Sequence, residues 1–199
     1  MKRDSFYRGL ARRTGSAAAC AAFDEWIWAR HGATRAILIT DLSGFTRLTR
    51  KHGIVHFLAI FQRALGVMVP AVRRHRGRTL KTAADNLMAI FAEPAQAVAA
   101  ARDMLAQATR ANRGKPVDTQ VRICIGIGYG RVLLFDDDCF GDDVNVAYKL
   151  GEDVAEPDEI LCTESAVGRL RDTGDPTPLD GPLAVAVSGV HLAYWRAAP

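Results

Sequence analysis

Cysteine is scarce and scattered in this chain. Cys20, Cys124, Cys139 and Cys162 are the four in 199 residues, and they form neither a CxxC pair nor a Cys/His cluster. That spacing excludes a zinc-finger-like site and a disulfide framework, and it points to a reducing compartment, the cytoplasm. The histidines, His31, His52, His56, His75 and His191, also lack metal-ligand spacing and read as structural or surface residues. No apolar stretch approaches the roughly 20 residues that a membrane helix needs, so no membrane span is expected. The opening MKRDSFYRGLARRTGSAAACAAF has only a short, mildly apolar run before Asp24 and Glu25, which argues against a secretory leader. Internal repeats and low-complexity tracts are absent.

What is present suits one globular domain with terminal extras: 49% hydrophobic and 24% charged residues over a length too short for two full-sized domains. The net charge is +4, and much of the excess lies in Arg12-Arg13 and in Arg73, Arg74, Arg76, Arg78 and Lys81. Such a run suits a polyanionic ligand, or it is simply a solvated face. A ferredoxin-like sheet beside a basic segment also raises RNA binding. The strand-borne aromatics that stack bases are missing, however, and Trp26, Trp28, Phe57 and Phe61 read as packing residues, so no nucleic-acid partner is expected.

Residues 1–33 read as an N-terminal helical extension, and the domain proper as 34–199. Ala36-Ile-Leu-Ile-Thr40 predicts a buried strand ending at Asp41, before the glycine turn of DLSGFT. One or two helices follow from Thr46 to about His75, with breaks or kinks at Gly53 and Pro70. Arg78–Thr82 and Asn86–Phe91 predict a hairpin with Asp85 at its tip, and Pro94–Asn112 a helix with proline in its first turn. A second hairpin is expected to turn at Gly128-Tyr-Gly130, joining strands 121–127 and 131–135. A helix over 141–155, a strand at 160–162, a helix over 164–171 and a final hairpin over 182–196 complete the chain. The fold class is α+β, a ferredoxin-like βαββαβ core with helices packed on a mainly antiparallel sheet.

Alone, Asp41 reads as a cap or surface residue and Asp85 as a turn residue. Together, at the ends of neighbouring strands, the two carboxylates can bracket a pair of divalent ions for in-line phosphoryl transfer. After Asp41, the Ser43-Gly44-Phe45-Thr46 turn into a helix offers backbone N–H groups to an anion.

Four blocks in order, ILITDLSGFT, KTAADNLMAIF, VRICIGIGYGRV and GDDVNVAYKLGEDVAEPDEILCTESAV, resemble the catalytic domain of the class III adenylate and guanylate cyclases. The resemblance runs from about Ile37 to Val167. It implies a homodimer with sites built at the interface from both chains and two Mg2+ or Mn2+ per site. Asp41, Asp85 and the carbonyl of Leu42 would hold the metals, and Gly44, Phe45, Thr46 and Arg122 would lie near the phosphates. Lys81 and Asp138 of the partner would read the adenine edge, favouring ATP. Asn145 would orient the ribose, and Lys149, one helical turn on, would steady transition-state charge.

This sequence departs from the family pattern at three of its positions. Lys149 stands where arginine is usual and loses the planar fork. Ala84 stands where glycine commonly precedes the metal aspartate, and Ser188 where many relatives have lysine. The reading is an adenylate cyclase, ATP to 3′,5′-cyclic AMP and pyrophosphate. The alternatives are a cyclase for GTP or a pyrimidine nucleotide, and a weakly catalytic domain that binds nucleotide or a partner.

Overall fold

The computed structural model describes residues 3–11, 13–187 and 189–199; the sequence readings that rest on Arg12 and Ser188 lie outside the described residues. Two helices come first, α1 (Arg3–Leu10) and α2 (Ala17–His31). Ser16 caps α2 by accepting from the Ala19 amide at 3.2 Å. Next come β1 (Gly32–Leu42), α3 (Phe45–His52), α4 (Ile54–Arg74), β2 (Arg78–Ala83), β3 (Asn86–Phe91) and α5 (Pro94–Asn112). The remainder is β4 (Ile123–Leu134), β5 (Cys139–Phe140), α6 (Asp142–Lys149), β6 (Ile160–Thr163), α7 (Glu164–Asp172), β7 (Leu179–Val187) and β8 (Val190–Ala197).

The strands form one sheet in the order β2-β3-β1-β4-β6-β8-β7, with β5 folded back on β4. Every pairing is antiparallel except β4 with β6. From β1 to β4 the chain follows the βαββαβ order that the sequence predicts. β1 is apolar without alternation because both of its faces are covered. Ala36 and Leu38 join the main core with Phe57, Met68 and Met104 from α4 and α5, whereas Ile37 and Ile39 face Val144 and Ala147 of α6.

Three expectations are corrected. First, β4 does not turn at Gly128-Tyr-Gly130. It runs unbroken beside β1, from Leu42↔Ile123 to Gly32↔Leu133, and the hairpin turn falls after Leu134. These glycines serve close approach rather than reversal: a Cβ on Gly126 would collide with the Ala147 carbonyl and sit 2.7 Å from the Gly151 amide, and one on Gly128 would strike the Asp143 carbonyl. Second, the helix expected over 141–155 ends as α6 at Lys149 and continues as a wider π turn over Leu150–Val154. Third, Pro70 lies inside α4 without ending it, so α4 spans 21 residues and is long and apolar enough to cross a membrane by length and composition. Its Phe57, Ile60, Ala64, Met68, Ala71 and Val72 are buried in the core, which accounts for that apolar character. Gly53, with φ of 84°, separates α3 from α4 as expected.

Candidate active site

Strand register brings the two aspartates together. Thr40 lies opposite Leu87, whose amide donates to the Thr40 hydroxyl oxygen at 3.2 Å, so Asp41, next along β1, faces the tip of the β2–β3 hairpin where Asp85 sits. Burial, then the charges of Asp85 and Glu152, push the Asp41 carboxyl up to about 7 from its ordinary 3.8. Glu152, in the π turn after α6, is the member that the sequence reading missed. Burial raises its carboxyl as well, with Asp153 and Asp85 adding to the shift, while the Asn86 amide nitrogen donates to Glu152 Oε1 and opposes it. Nothing in the local pattern marks Glu152, because its approach depends on the π turn.

The donor types suit a hard divalent cation. Asp41 is within electrostatic reach of Asp85 and Glu152, and Asn86 Oδ1 is buried with no hydrogen-bond partner, although among the described residues no group of three His, Cys, Asp or Glu side chains is drawn together closely enough to hold a metal as they stand. Cys124 lies opposite Asp41 on β4, but burial holds its thiol near 12, so it offers no thiolate at neutral pH. Burial is the larger cause of the Asp41 shift, and the negative charge that Asp85 and Glu152 add to it is what a bound Mg2+ or Mn2+ would neutralise.

Gly44 caps α3 with φ of 91°, a conformation that favours glycine, and Leu48 closes the first turn on the Gly44 carbonyl at 2.8 Å. The amides of Phe45 and Thr46 fall in that first turn and have no intrahelical acceptor. The Ser43 amide is already taken by the Arg122 carbonyl at 3.0 Å. The Phe45 ring packs edge-on against Phe57 at 4.6 Å, leaving its backbone for the site. On its far side α3 is anchored by Asp118, whose carboxylate accepts from Arg47 at 2.8 Å, Lys51 at 2.5 Å and His52 at 3.0 Å. Those three partners hold the Asp118 carboxyl well below the usual range.

Lys81 and Asp138 pair with each other within the chain, Nζ donating to Oδ2 at 3.0 Å. Asp138 is buried, and its Oδ1 also accepts from the Cys139 amide at 3.0 Å. Along β4 this pair is remote from Asp41: Asp41 lies opposite Cys124, whereas Asp138 follows Leu134, which is ten positions further along the strand. Arg122 sits at the Asp41 end of β4, but its Nε is paired with Asp158 at 2.5 Å. Asn145 and Lys149 share one face of α6, and no ion pair involves Lys149 among the described residues.

Ala84, just before Asp85, has φ of 52°, the left-handed region where glycine costs nothing. Ala84→Gly is therefore expected to raise the thermal midpoint, with a gain of about 1 kcal/mol, and to leave turnover equal or higher. Paired melts and initial rates would check this.

Comparison with known proteins identifies the family. Residues 30–195 match the family model described as the adenylate and guanylate cyclase catalytic domain. A Rhizobium meliloti (strain 1021) protein with the provisional name adenylate cyclase 3 is 30% identical over 129 residues, covering 65% of this chain and 22% of that protein. The chain thus spans about a fifth of the length of that relative. The crystal structure of an adenylate/guanylate cyclase/hydrolase from Silicibacter pomeroyi superposes with a TM-score of 0.68 at 25% identity, covering 84% of this chain and 98% of the other. A guanylyl cyclase structure reaches a TM-score of 0.72 at 21% identity over 84% and 92% of the two chains, a likeness of fold.

Proposed function

Because the chain belongs to the family of adenylate and guanylate cyclase catalytic domains, we propose that it is an adenylate cyclase. It forms 3′,5′-cyclic AMP and pyrophosphate from ATP in a homodimer whose sites draw on both chains. Residues 34–199 act as the catalytic domain and 1–33 as an extension. The observation that carries the adenine assignment is the Lys81–Asp138 pair, which puts a donor and an acceptor side by side, the arrangement needed by a ring nitrogen and an exocyclic amine. Its distance along β4 from Asp41 supports a site completed by a second chain.

In this reading Asp41 and Asp85 hold two Mg2+ or Mn2+, with the Leu42 carbonyl, and Glu152 adds a third carboxylate. The ions, when bound, make the ribose 3′ hydroxyl more acidic and draw charge from the phosphates. The amides of Gly44, Phe45 and Thr46 receive the phosphate oxygens, and Arg122 adds positive charge at the same end of the sheet. Asn145 orients the ribose, so that the 3′ oxygen lies in line with the α-phosphorus. Lys149 then stabilises charge that builds as pyrophosphate departs, as a point charge rather than a planar fork.

A turnover assay with ATP, GTP, CTP and UTP offered separately, in Mn2+ or Mg2+, tests the activity and the base together. Cyclic AMP as the dominant product is expected, and Lys81→Ala should raise KM for ATP about tenfold or more by leaving the base edge unpaired. Another cyclic nucleotide would overturn the assignment of Lys81 and Asp138. No product from a folded dimer would favour the weakly catalytic reading, which the Ala84 strain and Lys149 support, and would make Lys149→Arg the next variant. Mixing Asp85→Ala with Lys81→Ala chains should recover turnover with the parent KM for ATP at one of the two composite sites. A mixture that shows only the raised KM of Lys81→Ala, with both variants folded and dimeric, would rule out the shared site.

A further inference from the structure

We propose that α1 and α2 clamp the loop that carries Asp138, so that the N-terminal helices set nucleotide affinity and base selectivity; the proposal rests on the adenylate cyclase reading. Phe6 of α1, Ile27 of α2 and Phe135 form a buried cluster of their own, separate from both faces of the sheet, with Phe23, Leu133 and Phe140 packed against it. The Phe6 and Phe135 rings are 4.3 Å apart, His31 stacks on Phe135 at 4.8 Å, and Tyr7 meets Phe140 edge-on at 6.4 Å. On the strand before the loop, the Arg131 guanidinium lies 4.4 Å over the Trp28 ring. The helices therefore grip both stems of the loop: Phe135 is three residues before Asp138, and Phe140 two after.

The loop's own strand ladder is short. β5 pairs with β4 at only two positions, Leu133↔Phe140 and Leu134↔Cys139, a ladder too short to be stable alone. Inside the loop, the Phe135 amide donates to the Asp138 carbonyl at 2.9 Å and the Cys139 amide to Asp138 Oδ1 at 3.0 Å, which aims the carboxylate at Lys81. Arg78 adds bonds to the Asp136 and Phe135 carbonyls at 2.7 and 3.3 Å. Packing the buried Phe135 and the partly buried Phe140 against α1 and α2 adds a large apolar contribution to the loop, beside that of Cys139 against Met88, since each aromatic ring carries area that would otherwise face water. Phe6 and Ile27 are thus positioning residues that act through Phe135.

Phe6→Ala in the full chain tests this, with Phe6→Leu as the conservative partner. Residue-resolved hydrogen exchange should show Phe135 and Cys139 amides losing protection about tenfold while β1–β4 amides such as Ile125 keep theirs. KM for ATP should rise about tenfold with kcat within about twofold, the preference for ATP over GTP should fall, and Phe6→Leu should restore most of both. Unchanged exchange at Phe135 and Cys139 would overturn the clamp, as would looser exchange with unaltered KM and selectivity. A rise in kcat would overturn it in favour of autoinhibition. If the wild-type chain makes no cyclic AMP, the adenylate cyclase reading fails, and the exchange experiment still decides whether the helices hold the loop.

Discussion

Asp41→Asn is expected to be catalytically dead, losing turnover about a thousandfold or more, and yet more heat-stable than the parent when divalent metal is removed. The folded chain keeps Asp41 protonated up to about 7, whereas the unfolded chain loses that proton near 3.8. Between those values the folded state binds the extra proton, so the contribution of Asp41 is fully present below about pH 4 and is lost as pH rises through 7. At pH 8 the metal-free parent carries the whole penalty, on the order of 2 kcal/mol after discounting for the partly exposed carboxylate. Asparagine removes it. Melts in a chelator at pH 5 and pH 8 should show the parent losing stability with pH and Asp41→Asn nearly level, while added Mn2+ raises the parent alone. A parent whose metal-free midpoint does not fall from pH 5 to pH 8 would mean that burial and the neighbouring carboxylates do not raise Asp41. The same shift makes metal binding release a proton, so metal affinity should weaken as pH drops below about 7.

That carboxylate group shows how far the sequence could be read. Asp41 and Asp85 were legible because each ends a strand whose apolar run is plain, and because antiparallel neighbours bring such ends together. The helix at Pro94–Asn112 was legible to the residue, since proline at its start and the Glu93–Gln96 cap, with the Glu93 amide donating to Gln96 Oε1 at 3.2 Å, are local signals. Glu152 was not legible, because what brings it to Asn86 is a π turn, and a one-residue change of helical phase leaves no mark on apolar spacing. Nor was the grip of Asp118 on α3, which joins residues 66 to 71 positions apart by exposed charges. The role of residues 1–33 stayed open for a similar reason: an aromatic face predicts burial but names no partner, and only the fold sets Phe6 against Phe135.

The glycines of β4, of which Gly128 and Gly130 read as a turn and Gly126 as part of a strand, carry the second large prediction. In a sequence, Gly-Tyr-Gly between two apolar runs reads as a reversal, but a strand that must take a helix backbone against its face needs glycine for another reason. Gly126→Ala would drive a methyl group into the Ala147 carbonyl and to 2.7 Å from the Gly151 amide, and since both are backbone atoms neither can rotate away. α6 must retreat, at a cost of about 3 kcal/mol or more. Asn145 and Lys149 ride on that helix, so a shift of about 1 Å should lower kcat on the order of a hundredfold even at temperatures where the variant is folded. Gly130→Ala meets only the Asp143 side chain, which can swing aside, and should be far milder. Gly66→Ala, inside α4 with nothing within 4 Å, should stabilise by up to about 1 kcal/mol and leave turnover unchanged. Melting and kcat measured across the three variants separate the cases: equal losses at Gly126 and Gly130 would mean that contact with the α6 backbone is not what sets the cost at Gly126.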